Sequence, residues 1–124
     1  LIEKIGIGID IEEIERFEKI NHIKKSLLIN KIFTKKELEY CFSKKNYARH
    51  MAARFSGKEA IIKALTNLDG MKKVRLAYSD IEILNNNKGV PIVKINNQRF
   101  KRLKVKISLS HCKDKALAFA IVLK

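Results

Sequence analysis

Near residue 70 the apolar residues stop recurring at helical spacing and begin to alternate, and this switch of period limits what the chain can fold into. Before it, Ala48, Met51, Ala52, Phe55, Ile62, Leu65 and Thr66 fall on one arc at about 100° per residue, predicting a long helix over about 46–67 that stops near Asp69-Gly70. Beyond it, 80–84 and 90–95 flank Asn85-Asn86-Asn87-Lys88-Gly89 and read as a hairpin, with Pro91 suiting an edge strand. Residues 105–110 and 116–123 read as a second hairpin about a turn at 112–115. At the front, Ile5, Ile7, Ile9 and Ile11 alternate with Gly6, Gly8 and Asp10, predicting a strand over 3–10 whose second face glycine leaves open. Ile11, Ile14, Phe17 and Ile20 then predict a helix over about 11–20. Thr34-x-x-Glu37 is a capping box with Phe33 and Leu38 as its staple, so a further helix spans about 35–43. A strand, then helices, then antiparallel hairpins packed on a long central helix make an α+β class.

The 124 residues suit a single domain over 1–124, and 46% apolar content supports a buried core. No apolar run approaches the roughly 20 residues that span a bilayer, and no secretory signal pattern opens the chain. Cys41 and Cys112, without a CxxC, read as reduced thiols; the expected location is cytoplasmic, with no membrane partner. A net charge of +14, from 27 basic and 13 acidic residues, calls for a polyanionic partner. Twenty-one of the 27 basic residues are lysine, which favours diffuse steering over bidentate reading of bases. Nine aromatics, several at core-like spacing, give little sign of a stacking platform, so nucleic acid is not the expected partner.

Two carboxylates break their local patterns. Glu59 lies inside the apolar arc of the long helix, where an unpaired charge is costly. It reads either as half of an i,i+4 ion pair with Lys63 or as a metal ligand. Asp10 reads either as a helix N-cap in Asp10-Ile11-Glu12-Glu13 or, with Gly6 and Gly8 clearing space beside it, as the other half of that site. Two carboxylates with adjoining lysines suit Mg²⁺, a hard ion that keeps waters and is completed by substrate phosphates. His111 ends a predicted strand beside Ser108 and Ser110, as a core histidine or a phosphate contact; His22 and His50 read as surface residues.

The ordered set Gly6-Ile7-Gly8-Ile9-Asp10, Phe33-Thr34-x-x-Glu37, Arg54-Phe55-x-x-Lys58-Glu59-Ala60-x-x-Lys63-Ala64, Gly89-x-Pro91 and Ser108-x-Ser110-His111 resembles the holo-[acyl-carrier-protein] synthases, the small bacterial branch of the 4'-phosphopantetheinyl transferases. The resemblance runs from about residue 5 to the end. It implies a cytoplasmic homotrimer with active sites between subunits, serving fatty acid biosynthesis. Such enzymes move the 4'-phosphopantetheine arm of coenzyme A onto a serine of apo acyl carrier protein, releasing adenosine 3',5'-bisphosphate. By the same resemblance Asp10 and Glu59 bind Mg²⁺, and Lys63 contacts the pyrophosphate beside them. Arg54, Lys58, Gly89, Pro91, Ser110 and His111 line the coenzyme A site. Arg16, Phe17, Ile20, Lys24 and Lys25 meet the acidic carrier. Ser56-Gly57 departs from the pattern, since small apolar residues are usual there, and Val90 and Cys112 depart likewise. The serine's proton acceptor stays open at this point, Glu59 or a metal-bound water.

Overall fold

The computed structural model describes residues 4–20, 27–69 and 74–124; Lys24, Lys25, His22 and Gly70 lie outside them. Strand β1 (Ile5–Glu13) is followed by helices α1 (Glu15–Glu18), α2 (Leu27–Ile32), α3 (Lys35–Phe42) and α4 (Tyr47–Asp69). After a short 3-10 turn at Tyr78–Asp80 come β2 (Ile81–Asn85) and β3 (Pro91–Ile95), then β4 (Lys104–His111) and β5 (Lys115–Leu123). One antiparallel sheet has the order β1-β5-β4, and β2 pairs with β3 as a separate hairpin. The α+β expectation and both hairpins hold.

Helix α4 lies on the inner face of the sheet, and small residues let it come close. Gly6, Gly8, Asp10 and Glu12 stand opposite Val122, Ala120, Ala118 and Ala116. A β-carbon on Gly6 would stand 2.1 Å from the Ala64 carbonyl oxygen. The glycine face is therefore not open to a ligand, as the sequence suggested; the helix backbone fills it. Side chains of α4 also complete the free edge of β1. The Ile7 amide donates to Asn67 Oδ1 at 2.9 Å, and Lys63 Nζ donates to the Ile9 carbonyl at 3.0 Å.

The expected helix over 11–20 is shortened at both ends, and its first three residues are strand. Pairing of Ile11 with Leu117, Glu12 with Ala116 and Glu13 with Lys115 carries β1 to residue 13. Four residues remain for α1, whose N-cap Ile14 makes no side-chain bond, so Asp10 is not a cap. The capping box of α3 is present in full, Thr34 accepting from the Glu37 amide while Glu37 accepts from that of Thr34.

Two apolar clusters share α4. Ile61, Leu65, Ile81, Ile83, Ala118, Ala120 and Val122 form one. Ile14, Phe17, Ile29, Phe33, Cys41, Met51 and Ala52 form the other. Among the described residues nothing covers the outer face of the sheet: Ile5, Ile7, Ile9 and Ile11 are 52%, 54%, 57% and 59% exposed. No helix among the described residues is long and apolar enough to cross a membrane. Both cysteines are free, Cys41 buried and Cys112 exposed.

Candidate active site

Alternation along β1 sends Asp10 and Glu12 to the inner face, and one turn of α4 presents Glu59 and Lys63 beside them. Lys63 Nζ stands 3.3 Å from Asp10 Oδ1. The Asp10 side chain is only 10% exposed, and its Oδ2 is buried with no hydrogen-bond partner. Glu12 Oε1 accepts from Arg16 at 2.8 Å. Burial first, then the neighbouring Asp10 carboxylate and the charge of Glu59, push the Glu12 carboxyl up to about 7, against the pull of Arg16. Glu59 accepts from the Tyr78 hydroxyl, and this bond, ahead of burial, pushes Tyr78 up to about 12. The expected i,i+4 pairing of Glu59 with Lys63 is absent. Lys63 turns to the strand and Glu59 to the tyrosine.

This donor set fits Mg²⁺. Among the described residues no three His, Cys, Asp or Glu form an all-protein metal cage. Mg²⁺ does not need one, because one or two carboxylates plus substrate phosphates and water satisfy it. The orphaned Asp10 Oδ2 is the kind of buried oxygen that a cation would satisfy. Two members of the cluster were missed in the sequence. Glu12 shares its strand face with Asp10 by period two, but the helix-cap reading absorbed that signal. Tyr78 comes from a turn with no pattern to mark it.

Other expected site residues are placed differently. Lys58 is fully buried. Its ammonium lies within 2.6–2.9 Å of Glu37 Oε1 and the carbonyls of Ile32, Tyr78 and Ile81, so it has no reach toward a nucleotide. Burial pulls the Lys58 ammonium below its usual range, while the charge of Glu37 opposes that shift. Arg54 is also buried, donating to the carbonyls of Ile83 and His50 beneath the Tyr40 ring, with Nη2 orphaned. Phe17 is buried against Phe33 and Phe55, so it cannot meet a carrier from the surface. Arg16 is exposed and Ile20 half-buried at the surface beside it. His50 is no free surface residue, for it sits edge-on to Tyr40 with ring centroids 5.6 Å apart.

His111 lies across β5 from Glu12, since both pair with Ala116, which separates them by two strand spacings, about 10 Å. With Lys45, Asn46, Arg49 and Lys113 it lines a cleft of ≈ 530 Å³ at the start of α4. Ser110 points to the outer face of the sheet. Gly89, at φ 80°, and Pro91 sit in the β2-β3 hairpin. The single chain thus gathers Asp10, Glu12, Glu59, Lys63 and Tyr78, and does not bring Ser110 to them.

A family model described as the 4'-phosphopantetheinyl transferase superfamily matches residues 6–121. The holo-[acyl-carrier-protein] synthase of Protochlamydia amoebophila is 43% identical over 122 residues, covering 94% of this chain and 96% of that protein. That of Thermodesulfovibrio yellowstonii is 43% identical over 117 residues, with the same coverage. Among solved structures, a holo-(acyl-carrier-protein) synthase from Bacillus anthracis in complex with CoA (3',5'-ADP) is 31% identical, with a TM-score of 0.78 over 99% of each chain.

Proposed function

The chain belongs to the 4'-phosphopantetheinyl transferase superfamily, in its holo-[acyl-carrier-protein] synthase branch, and is a transferase; from that premise we propose that one domain over 1–124 moves the 4'-phosphopantetheine of coenzyme A onto a serine of apo acyl carrier protein, with Mg²⁺. The observation that carries this reading is Asp10: one carboxylate oxygen beside Lys63, the other buried and unpartnered, with Glu59 close by on α4.

Phosphoryl transfer asks for charge neutralisation and in-line positioning more than covalent help. Asp10 and Glu59 would hold Mg²⁺, which when bound neutralises charge on the pyrophosphate. Lys63 is about half exposed and can turn its ammonium from the strand edge toward the departing phosphate of adenosine 3',5'-bisphosphate. Glu59 is the candidate to take the proton from the attacking serine. The basic cleft of Lys45, Arg49, Lys113 and His111 suits the remaining phosphate of the nucleotide. Arg54, buried under the Tyr40 ring, braces the first turns of α4 through its hold on the His50 carbonyl.

Arg16 and Ile20 are the described residues placed to meet the carrier, and the +14 charge would steer an acidic one toward them. The uncovered isoleucines of β1 support a homotrimer, because an apolar stripe of this kind marks an interaction surface. Ser110 on the outer face, and Gly89 and Pro91 in the hairpin, would then approach the nucleotide bound at a neighbouring subunit. A soluble, cytoplasmic enzyme of fatty acid biosynthesis is the setting this chemistry suits. Incubation with coenzyme A, Mg²⁺ and an acidic apo carrier should add one phosphopantetheine to the carrier's mass, and chelation should stop the reaction. A folded preparation that leaves a cognate carrier's mass unchanged overturns the proposal.

A further inference from the structure

We infer that Tyr78 is a positioning residue for the transfer reaction, its hydroxyl holding Oε1 of Glu59 so that the second carboxylate oxygen is presented to the cation. The inference rests on the reading of Glu59 as a ligand of the divalent ion. Its basis is the way α4 grips this one tyrosine. Three α4 residues at spacings that share a helix face each take a different part of it. Phe55 packs on the ring, with centroids 5.3 Å apart. The buried ammonium of Lys58 holds the Tyr78 carbonyl at 2.9 Å. Glu59 accepts from the hydroxyl.

Lys58 is itself fixed, by Glu37 at 2.7 Å and by the carbonyls of Ile32 and Ile81. Glu37 in turn accepts from the amides of Thr34 and Ile83. The turn carrying Tyr78 is thereby tied to α2, α3, β2 and α4 at once. A phenol so held restrains the Glu59 side chain, which on its own has three rotatable bonds and a partly buried position. Partners of this kind, which orient a ligand without touching the metal, commonly change metal affinity or activity by about ten- to a hundredfold when removed. Lys58 then acts at a distance from the chemistry, by setting the height of the tyrosine that sets Glu59.

Tyr78→Phe removes the hydroxyl while keeping the ring on Phe55 and the carbonyl on Lys58. Mn²⁺ alone, followed by the loss of its free paramagnetic signal, reports ion binding without turnover. The expected result is roughly tenfold weaker Mn²⁺ binding, a matching fall in kcat that high Mg²⁺ partly restores, and KM for coenzyme A within about twofold of wild type. Glu59→Gln is measured alongside. If Glu59→Gln binds Mn²⁺ as wild type does, the reading of Glu59 as a ligand fails and this inference with it. If Glu59→Gln loses Mn²⁺ while Tyr78→Phe binds it normally, the positioning role alone is overturned, whatever Tyr78→Phe does to kcat.

Discussion

A β-carbon on Gly8 would stand 2.0 Å from the carbonyl oxygen of Ala60. Backbone against backbone cannot relax at that distance without parting the strand from the helix. The same approach places Asp10 of β1 beside Lys63 of α4. Gly8→Ala should therefore lower stability in urea by about 2 kcal/mol or more, in the range of overpacked cores, and reduce transfer beyond what unfolding explains. A variant as stable and as active as wild type would show that the close approach is dispensable.

The periods of the sequence were enough for the long helix, the two hairpins and the capping box at Thr34, because each is a local pattern. They misplaced the end of β1. Ile11, Ile14, Phe17 and Ile20 have helical spacing, but the ladder to β5, more than a hundred residues away, holds residues 11–13 extended. Asp10, Glu59 and Lys63 were legible as a set. Their mutual geometry was not, since local spacing paired Glu59 with Lys63 and the fold gives each a partner from another element. Lys58 is assigned to the coenzyme A site by resemblance alone, and nothing local in the sequence shows that it faces the carboxylate of Glu37. Ser56, one of the departures from the family pattern, has a local explanation: its hydroxyl donates to the Asp10 carbonyl at 2.9 Å and pins the strand to the helix. Its neighbour Gly57 leaves room for Ile83 and Ile107, whose side chains would lie 2.6 and 2.8 Å from an added β-carbon.

The isoleucine stripe of β1 predicts association. Wild type should have the mass of a trimer by light scattering, and Ile7→Glu, a charge on a residue already 54% exposed, should give folded monomers with little transfer activity. A wild-type monomer with full activity would remove the subunit interface from the account.

Lys58 and Glu37 form an ion pair 2.7 Å apart with both side chains fully buried. Lys58→Met leaves the Glu37 carboxylate without its cation and should cost about 3–5 kcal/mol in urea unfolding. Adding Glu37→Gln should recover part of that loss, since it removes the unpaired buried charge while its single amide oxygen still accepts from one of the two backbone amides. A double variant no better than Lys58→Met would mean that the charge is not what matters.

His50 should make the fold acid-sensitive. Burial first, then the charges of Arg54, Arg49, Lys44 and His111, lower its pKa from 6.5 to about 4. Between those values the unfolded chain binds a proton that the folded chain does not. Stability is therefore fully present above 6.5 and falls as the pH drops toward 4. Urea midpoints measured across this window should decline less steeply for His50→Gln than for wild type. Equal slopes would show that His50 is not strained by its cationic neighbours.

Asp10 and Glu59 are proposed as two halves of one cation-and-pyrophosphate site. Intact mass of the carrier, followed over time with coenzyme A and Mg²⁺, tests it in Asp10→Ala and Glu59→Ala chains that keep the wild-type circular dichroism. Each substitution should slow phosphopantetheine transfer by about a thousandfold, as losing a preorganised charge at a phosphoryl centre does. Transfer near the wild-type rate by either variant would contradict the assignment.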